Sequence, residues 1–240
     1  MIEILIILGL TLMAGMAMPL GAFAGSKQHV RPNWLEDEFR HAVAAFGGGA
    51  LLSAVALVLV PEGTAQLSLT SAVLCFGAGG IAFMALDILL YKLNTPASQL
   101  AAMLSDFIPE ALALGAALAI GGTGSALLLA GLMALQNMPE GFSAYRELGA
   151  SGRFNGKNII IIFAVMALLG PVAGLSGYFW LADSPMLVAG IMLFAAGGIL
   201  YSVFQDIAPQ TVLDKHWAPP LGAVLGFMLG VAGHMLTTHG

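Results

Sequence analysis

Charged residues are scarce in this chain of 240 residues. Asp, Glu, Lys and Arg make up 9% of it, against about 25% in soluble proteins, whereas 59% of the residues are hydrophobic. Basic residues are the scarcest: eight Lys and Arg stand against thirteen Asp and Glu, and no basic run exists that would bind nucleic acid or an anionic surface. The composition predicts an integral membrane protein and argues against a nucleic-acid partner.

Cysteine is almost absent. The one cysteine, Cys75, lies in an apolar stretch. An intramolecular disulfide and a cysteine-based metal cluster are therefore excluded.

Long apolar segments dominate the chain instead. A helix that crosses a bilayer needs roughly 20 apolar residues, and eight segments of about that length are separated by turn formers or charges. They are Ile4–Phe23, Ala42–Val60, Ser68–Leu90, Ala97–Ile120, Ser125–Tyr145, Ile159–Leu181, Met186–Phe204 and Pro220–Leu236. We predict an all-α membrane protein with eight transmembrane helices, forming a single transmembrane domain over residues 1–240.

The basic residues indicate an orientation. Glu3 precedes the first segment and Lys27 follows it, which favours a retained helix over a cleaved signal peptide. All eight basic residues lie in or beside the odd-numbered connections: Lys27, Arg31, Arg40, Lys92, Arg146, Arg153, Lys157 and Lys215. The positive-inside rule then predicts a multi-pass protein of the cell inner (plasma) membrane with both termini outside.

The chain contains a weak internal repeat. Phe46-Gly-Gly-Gly, followed by Pro61, aligns at an offset of 148 with Phe194-Ala-Ala-Gly, followed by Pro209. The second and seventh segments cross in opposite directions, so the sequence predicts an inverted 3+3 repeat around a central helix pair. Chance similarity between apolar helices is the alternative.

Polar residues are concentrated in the central pair. The fourth segment reads DFIPE from Asp106 to Glu110, and the fifth reads QNMPE from Gln136 to Glu140. Residues four apart share a helix face, and each proline removes a backbone donor from its helix. The pair therefore presents oxygen ligands suited to a cation.

The energetic cost makes a purely structural role unattractive. One carboxylate at the bilayer centre costs about 2.5–3.5 kcal/mol, and this region contains three. Apart from His234, no basic side chain lies at comparable depth in any segment. Glu110 and Gln136 both lie near mid-depth, so we expect them to face each other. The alternatives are a bound metal ion or protonated acids hydrogen-bonded between helices.

These motifs resemble those of the ZIP family of divalent-metal transporters. Gln136–Gly141 is similar to the fifth-helix motif of that family, and 194–209 is similar to its seventh helix. The resemblance implies inward transport of Zn²⁺, Mn²⁺, Fe²⁺ or Cd²⁺ as substrate, with no organic cofactor and no enzymatic activity. The predicted metal ligands are Asp106, Glu110, Gln136, Asn137 and Glu140.

Other polar residues are predicted to lie along the pathway of the ion. Glu62 is expected at the outer end of the second segment, and Gln205 with Asp206 at the inner end of the seventh. Asp87 is expected to pair with Lys92 at the interface.

The sequence also departs from the family pattern. Asp106-Phe107 stands where the family usually has His-Asn, and Gly170 stands where many members have a glutamate before proline. Phe107 has no donor atom, so we expect one metal ion rather than two. An all-oxygen site suits Mn²⁺ or Mg²⁺ better than a site with imidazole.

Two other functions are open. One is a ZIP-like scaffold or metal sensor that does not transport. The other is an intramembrane serine protease that uses Ser176 and His234. Partners are the lipid bilayer and the metal ion, and a homodimer is also open.

Overall fold

Helices account for the secondary structure of the chain. The computed structural model describes residues 2–27, 33–93, 95–119, 122–181, 183–212 and 217–239, and within these ranges no strand is present. Five helices are uninterrupted: α1 (Ile2–Lys27), α3 (Leu69–Leu93), α4 (Pro96–Ala119), α5 (Thr123–Ala150) and α8 (Ala218–His239). Three are divided: α2 (Asn33–Ala54, Val55–Leu59, Val60–Gln66), α6 (Gly156–Ala167, Leu169–Leu181) and α7 (Pro185–Ser202, Val203–Ile207, Ala208–Gln210).

Seven of these eight helices are long and apolar enough to cross a membrane, counted over the described residues. The exception is α5, because Gln136, Asn137 and Glu140 lower the hydropathy of its apolar half. Each of the eight predicted segments coincides with a helix, apart from Ser68, which precedes α3, and Leu168, which lies between the two parts of α6; Ile120 is outside the described residues. The chain is thus a multi-pass, all-α membrane protein.

Two helices continue past a proline that follows the predicted apolar segment. Beyond the predicted end of the second segment at Val60, α2 continues to Gln66, and beyond the predicted end of the seventh at Phe204, α7 continues to Gln210. A proline follows each predicted segment, Pro61 after the second and Pro209 after the seventh, and neither proline ends its helix. Instead, Pro61 and Pro209 lie in the first turn of a new helical stretch, where a missing amide hydrogen leaves no bond unmade.

Both extensions begin with a π-helical turn, Val55–Leu59 in α2 and Val203–Ile207 in α7. The backbone N–H of Val60 donates to the carbonyl of Val55, and that of Ala208 donates to the carbonyl of Val203. A proline cannot donate and its ring crowds the carbonyl four residues earlier, which favours the wider turn before it. The two turns lie 148 residues apart, the same offset as the sequence repeat.

Glycines allow close packing in two outer helix pairs. A Cβ atom at Gly49 of α2 would overlap a carbonyl of α8, and one at Gly226 of α8 would overlap a carbonyl of α2. The same reciprocal arrangement joins Gly197 of α7 to α3 and Gly79 of α3 to α7. Gly49 and Gly197 are again related by the offset of 148.

Two inner pairs are joined in the same way. Gly21 of α1 and Gly141 of α5 each lie against a carbonyl of the other helix, as do Gly115 of α4 and Gly177 of α6. Small residues let helix backbones approach closely, which is a main source of packing energy between helices in lipid. The central helices α4 and α5 are therefore each held by an outer neighbour and also pack against each other.

Candidate functional site

A large cavity opens at one end of the helix bundle. We call this end, where α1, α3, α5 and α7 terminate, the basic end, because Lys27, Lys92 and Arg146 lie there. A cavity of about 710 Å³ runs from the middle of the bundle to the exposed side chains of Tyr91 and Arg153. Its walls come from α2, α3, α4, α5 and α7, together with Arg153 beyond the end of α5.

Three of the predicted ligands line the deep part of this cavity. Asp106 comes from α4, and Gln136 and Glu140 lie one turn apart on α5. Gln136 is almost fully buried, with 3% of its surface exposed. The i, i+4 spacing on α5 thus brings both polar groups of that helix to the cavity, as the sequence predicts.

Glu110 lies behind this wall rather than in it. Its side chain is fully buried, and the amide Nε2 of Gln136 donates a hydrogen bond of 2.7 Å to its Oε2 atom. The expectation that Glu110 and Gln136 face each other is confirmed by this contact. Gln136 consequently occupies a position between Glu110 and the cavity.

Buried oxygen atoms without partners are concentrated here. Asp106 Oδ1, Glu110 Oε1, Gln136 Oε1 and Asn137 Oδ1 accept no hydrogen bond in the described part of the chain. Each orphaned buried acceptor costs about 1–3 kcal/mol. Among the described residues that line the cavity, one is a Lys or Arg: Arg153, which lies at the mouth of the cavity. Each of these oxygen atoms needs either a hydrogen-bond donor or a cation as its partner.

The carboxylates are not gathered into a complete ligand set. Within the described residues, no three His, Cys, Asp or Glu side chains are grouped so that they could hold a metal ion. The side chain that contacts Glu110 is instead the amide of Gln136, whose Nε2 atom donates to one oxygen of that carboxylate. A cation bound here would therefore need amide oxygen as well as carboxylate.

Asn137, predicted as a ligand, faces another direction. It is fully buried, and its Nδ2 atom donates a 2.9 Å hydrogen bond to the backbone carbonyl of Ala14 in α1. Successive residues of a helix are turned by about 100°, so the neighbour of Gln136 leaves the face that Gln136 occupies. The structure places Asn137 in the contact between α5 and α1, outside the cavity lining.

Phe107 and Gly170, the two departures from the family pattern, are in contact. The ring of Phe107 is fully buried, and a Cβ atom at Gly170 would lie 2.7 Å from its Cζ atom. A Cβ atom at Gly15 would lie 2.9 Å from the same atom. The ring thus fills space that side chains on α1 and α6 would otherwise occupy.

The predicted pathway residues fall at both ends of the bundle. Asp206 lies in the π-helical turn of α7 and lines the large cavity, whereas the neighbouring Gln205 is exposed and does not line it. Glu62 lies at the opposite end, where its carboxylate accepts a 2.5 Å hydrogen bond from the Ser125 hydroxyl. A second cavity, of about 240 Å³, adjoins Glu62 and His234.

Sequence reasoning missed part of the cavity wall. Asp87 accepts a 3.1 Å hydrogen bond from the Tyr201 hydroxyl instead of the predicted partner Lys92, and Glu147 also lines the cavity. The available signal was an aspartate inside the apolar third segment. Its partner lies on α7, 114 residues away, which no local pattern reveals.

The two residues of the protease alternative lie on different parts of the surface. The hydroxyl of Ser176 donates a 2.8 Å hydrogen bond to the carbonyl of Val172 in its own helix. His234 lines the second cavity, whose described lining contains no residue of α6. The structure does not bring this serine and histidine together in one site.

No protein-family model matches the chain, and a search of curated proteins found no match either. The functional assignment therefore rests on the motifs and on the geometry of the site.

Proposed function

We propose that this chain transports a divalent transition-metal ion across the plasma membrane, in the manner that its resemblance to ZIP transporters implies. The observation that carries the proposal is the group of buried, unpartnered oxygens on Asp106, Glu110 and Gln136 beside a cavity that leads out of the bundle. Anionic and amide oxygens without donors attract a cation, and carboxylate ligands suit divalent metals.

The proposed topology has eight transmembrane helices, with α5 as the polar member, and both termini outside. Support for a spanning α5 comes from its length of 28 residues and from its packing against α1, α2, α4 and α8. Surrounding helices can shield its polar face from lipid, which is the usual setting of such residues in membranes.

The inverted repeat belongs to the same proposal. Exchanging α1 with α6, α2 with α7, α3 with α8 and α4 with α5 maps the closely packed pair α2–α8 onto α7–α3. The same exchange maps α1–α5 onto α6–α4. The paired π-helical turns, at one common offset, support this relation.

In the proposed mechanism, Asp106, Gln136 and Glu140 bind the ion at the deep end of the cavity. Rotation of the Gln136 side chain away from Glu110 would offer its amide oxygen to the ion and free a further carboxylate oxygen of Glu110. The open path leads to the basic end, which is the cytoplasmic side in this topology. Toward the opposite end, Leu129, Leu132 and Met133 of α5 are buried and close the route.

Uptake of a radioactive divalent metal into proteoliposomes tests the proposal. Glu140→Gln and Glu110→Gln should each lower uptake by about tenfold or more, because each removes an anionic charge from the site. Glu147→Gln, at the cavity mouth, is the matched control and should retain most of the uptake. Parental uptake by both central variants would refute the assignment.

A scaffold or sensor that binds metal without transporting it is the second candidate. It is favoured by one observation, the buried contact of Phe107 with Gly170, which stand where the resembled family usually has an asparagine and a glutamate. Metal-dependent thermal stabilisation without any uptake would support it, because a ligand that binds only the folded state raises stability by mass action.

A further inference from the structure

The second cavity lies at the end of the bundle opposite to the basic end. It has a volume of about 240 Å³, which exceeds the space that one water molecule occupies. Its polar walls come from three helices: Glu62 of α2, Thr123 and Ser125 of α5, and His234 and Thr237 of α8. None of these residues takes part in the central site.

This cavity is lined by a carboxylate, from Glu62, and by an imidazole, from His234. Glu62 contributes a carboxylate, of which one oxygen accepts the Ser125 hydroxyl. No Lys or Arg is among the described lining residues. The Thr237 hydroxyl donates to the backbone carbonyl of Gly233 or His234, so its oxygen lone pairs remain available as acceptors.

The position separates this cavity from the central site. Ser125 precedes Gln136 by 11 residues of one helix, which corresponds to about 16 Å along its axis. Buried leucine side chains of α5, at 129 and 132, lie between the two levels. A ligand in one site therefore cannot share side chains with a ligand in the other.

We propose that Glu62 and His234 form a second cation site, which binds a divalent transition-metal ion independently of the central carboxylates. Carboxylate and imidazole together suit borderline ions such as Zn²⁺ and Co²⁺, whereas Mg²⁺ and Ca²⁺ take oxygen ligands almost alone. Binding draws α2 and α8 to a common ion, and it competes with Ser125 for the carboxylate of Glu62.

The test uses the full-length protein in detergent with the central site disabled by Glu110→Gln and Glu140→Gln. Zn²⁺ binding is measured by titration calorimetry, and bound zinc is counted by elemental mass spectrometry. We expect this protein to retain a Zn²⁺ site. Adding Glu62→Gln or His234→Gln should weaken its binding by about tenfold or more, whereas Thr64→Ala, an exposed hydroxyl at the same end, should not.

The visible absorption of bound Co²⁺ provides a second measurement that needs no variant at Glu62 or His234. Nitrogen coordination in the protein with the disabled central site supports the proposal, and coordination by oxygen alone overturns it. Zn²⁺ affinity that is unchanged by both Glu62→Gln and His234→Gln also overturns it. These outcomes are independent of uptake by the central variants, so the failure of one proposal leaves the other standing.

Discussion

Asp106 is the residue that tests the metal preference of the proposed transporter most directly. It lines the deep end of the cavity, and its buried Oδ1 atom has no partner within the described chain. Asp106→His would replace a carboxylate by an imidazole and remove one negative charge, which favours Zn²⁺ over Mn²⁺. We expect the ratio of Zn²⁺ to Mn²⁺ uptake, measured in competition, to rise by about tenfold.

Asp106→Ala is the control for this change, because it removes the ligand without supplying a new one. It should weaken the uptake of both ions without changing their ratio. An unchanged ratio in Asp106→His would exclude Asp106 from the coordination shell.

The contact between Phe107 and Gly170 predicts that their substitutions are coupled. Gly170→Ala alone should lower thermal stability by about 1–3 kcal/mol, because the new Cβ atom would lie 2.7 Å from the ring. In a Phe107→Leu background, which lacks the Cζ atom, the same change should cost less. The carbonyl of Thr11, at 2.9 Å, leaves part of the penalty in both backgrounds.

Thermal unfolding of the four proteins in detergent measures this double-mutant cycle. Additive effects of the two substitutions would show that the ring does not restrict position 170.

Contacts between side chains could be predicted from the sequence where the polar character of the residues and their helical spacing indicate the same pair. It predicted that Glu110 and Gln136 meet, because depth and periodicity alone determine that contact. It was wrong to pair Asp87 with Lys92, and it gave no indication that Asn137 would bond to Ala14. Both outcomes depend on how each helix is rotated against distant neighbours, which local periodicity does not specify.

At the scale of elements, the helices themselves were predictable and their ends were not. Apolar segments of about 20 residues identified all eight. Helices continue past the apolar core into polar ends, and a proline after a π-helical turn begins a stretch instead of ending one. The repeat offset of 148 is visible in the sequence, but the matched π-helical turns at that offset are not, because local sequence does not specify a five-residue hydrogen-bonded turn.

The glycine contacts between α3 and α7 predict a position-specific loss of stability. A Cβ atom at Gly79 would overlap the backbone carbonyl of Phe194, and two backbones would have to separate. We expect Gly79→Ala to destabilise the protein by about 1–3 kcal/mol. Gly77→Ala on the same helix meets nothing within 4 Å and should be neutral or slightly stabilising.

Thermal melting of the two alanine variants in the same detergent provides the comparison. Equal melting temperatures would mean that α3 and α7 do not pack as closely as described here.

At the scale of the whole molecule, metal binding should depend on pH. Carboxylates must be deprotonated to act as ligands, so protons compete with the ion at Asp106, Glu110 and Glu140. Affinity should therefore fall as the pH is lowered, and binding should release protons. Titration calorimetry in two buffers of different ionisation enthalpy measures this release; equal heats would mean that no net proton is exchanged.

The proposed crossing of the membrane by α5 determines the topology of the entire chain, because α5 is the one long helix among the described residues without a sufficiently apolar window. Thr123 and Ser151 are both exposed and lie at its two ends. In a Cys75→Ala background, Thr123→Cys should react with a membrane-impermeant thiol reagent added outside intact cells. Ser151→Cys should react only after the membrane is opened, since it lies among the basic residues that favour the cytoplasmic side. Labelling of both cysteines from the same side would show that α5 does not cross the membrane. Without that crossing, the helices after α5 would be reversed relative to the helices before it, so the result would also remove the inverted relation between α1–α3 and α6–α8.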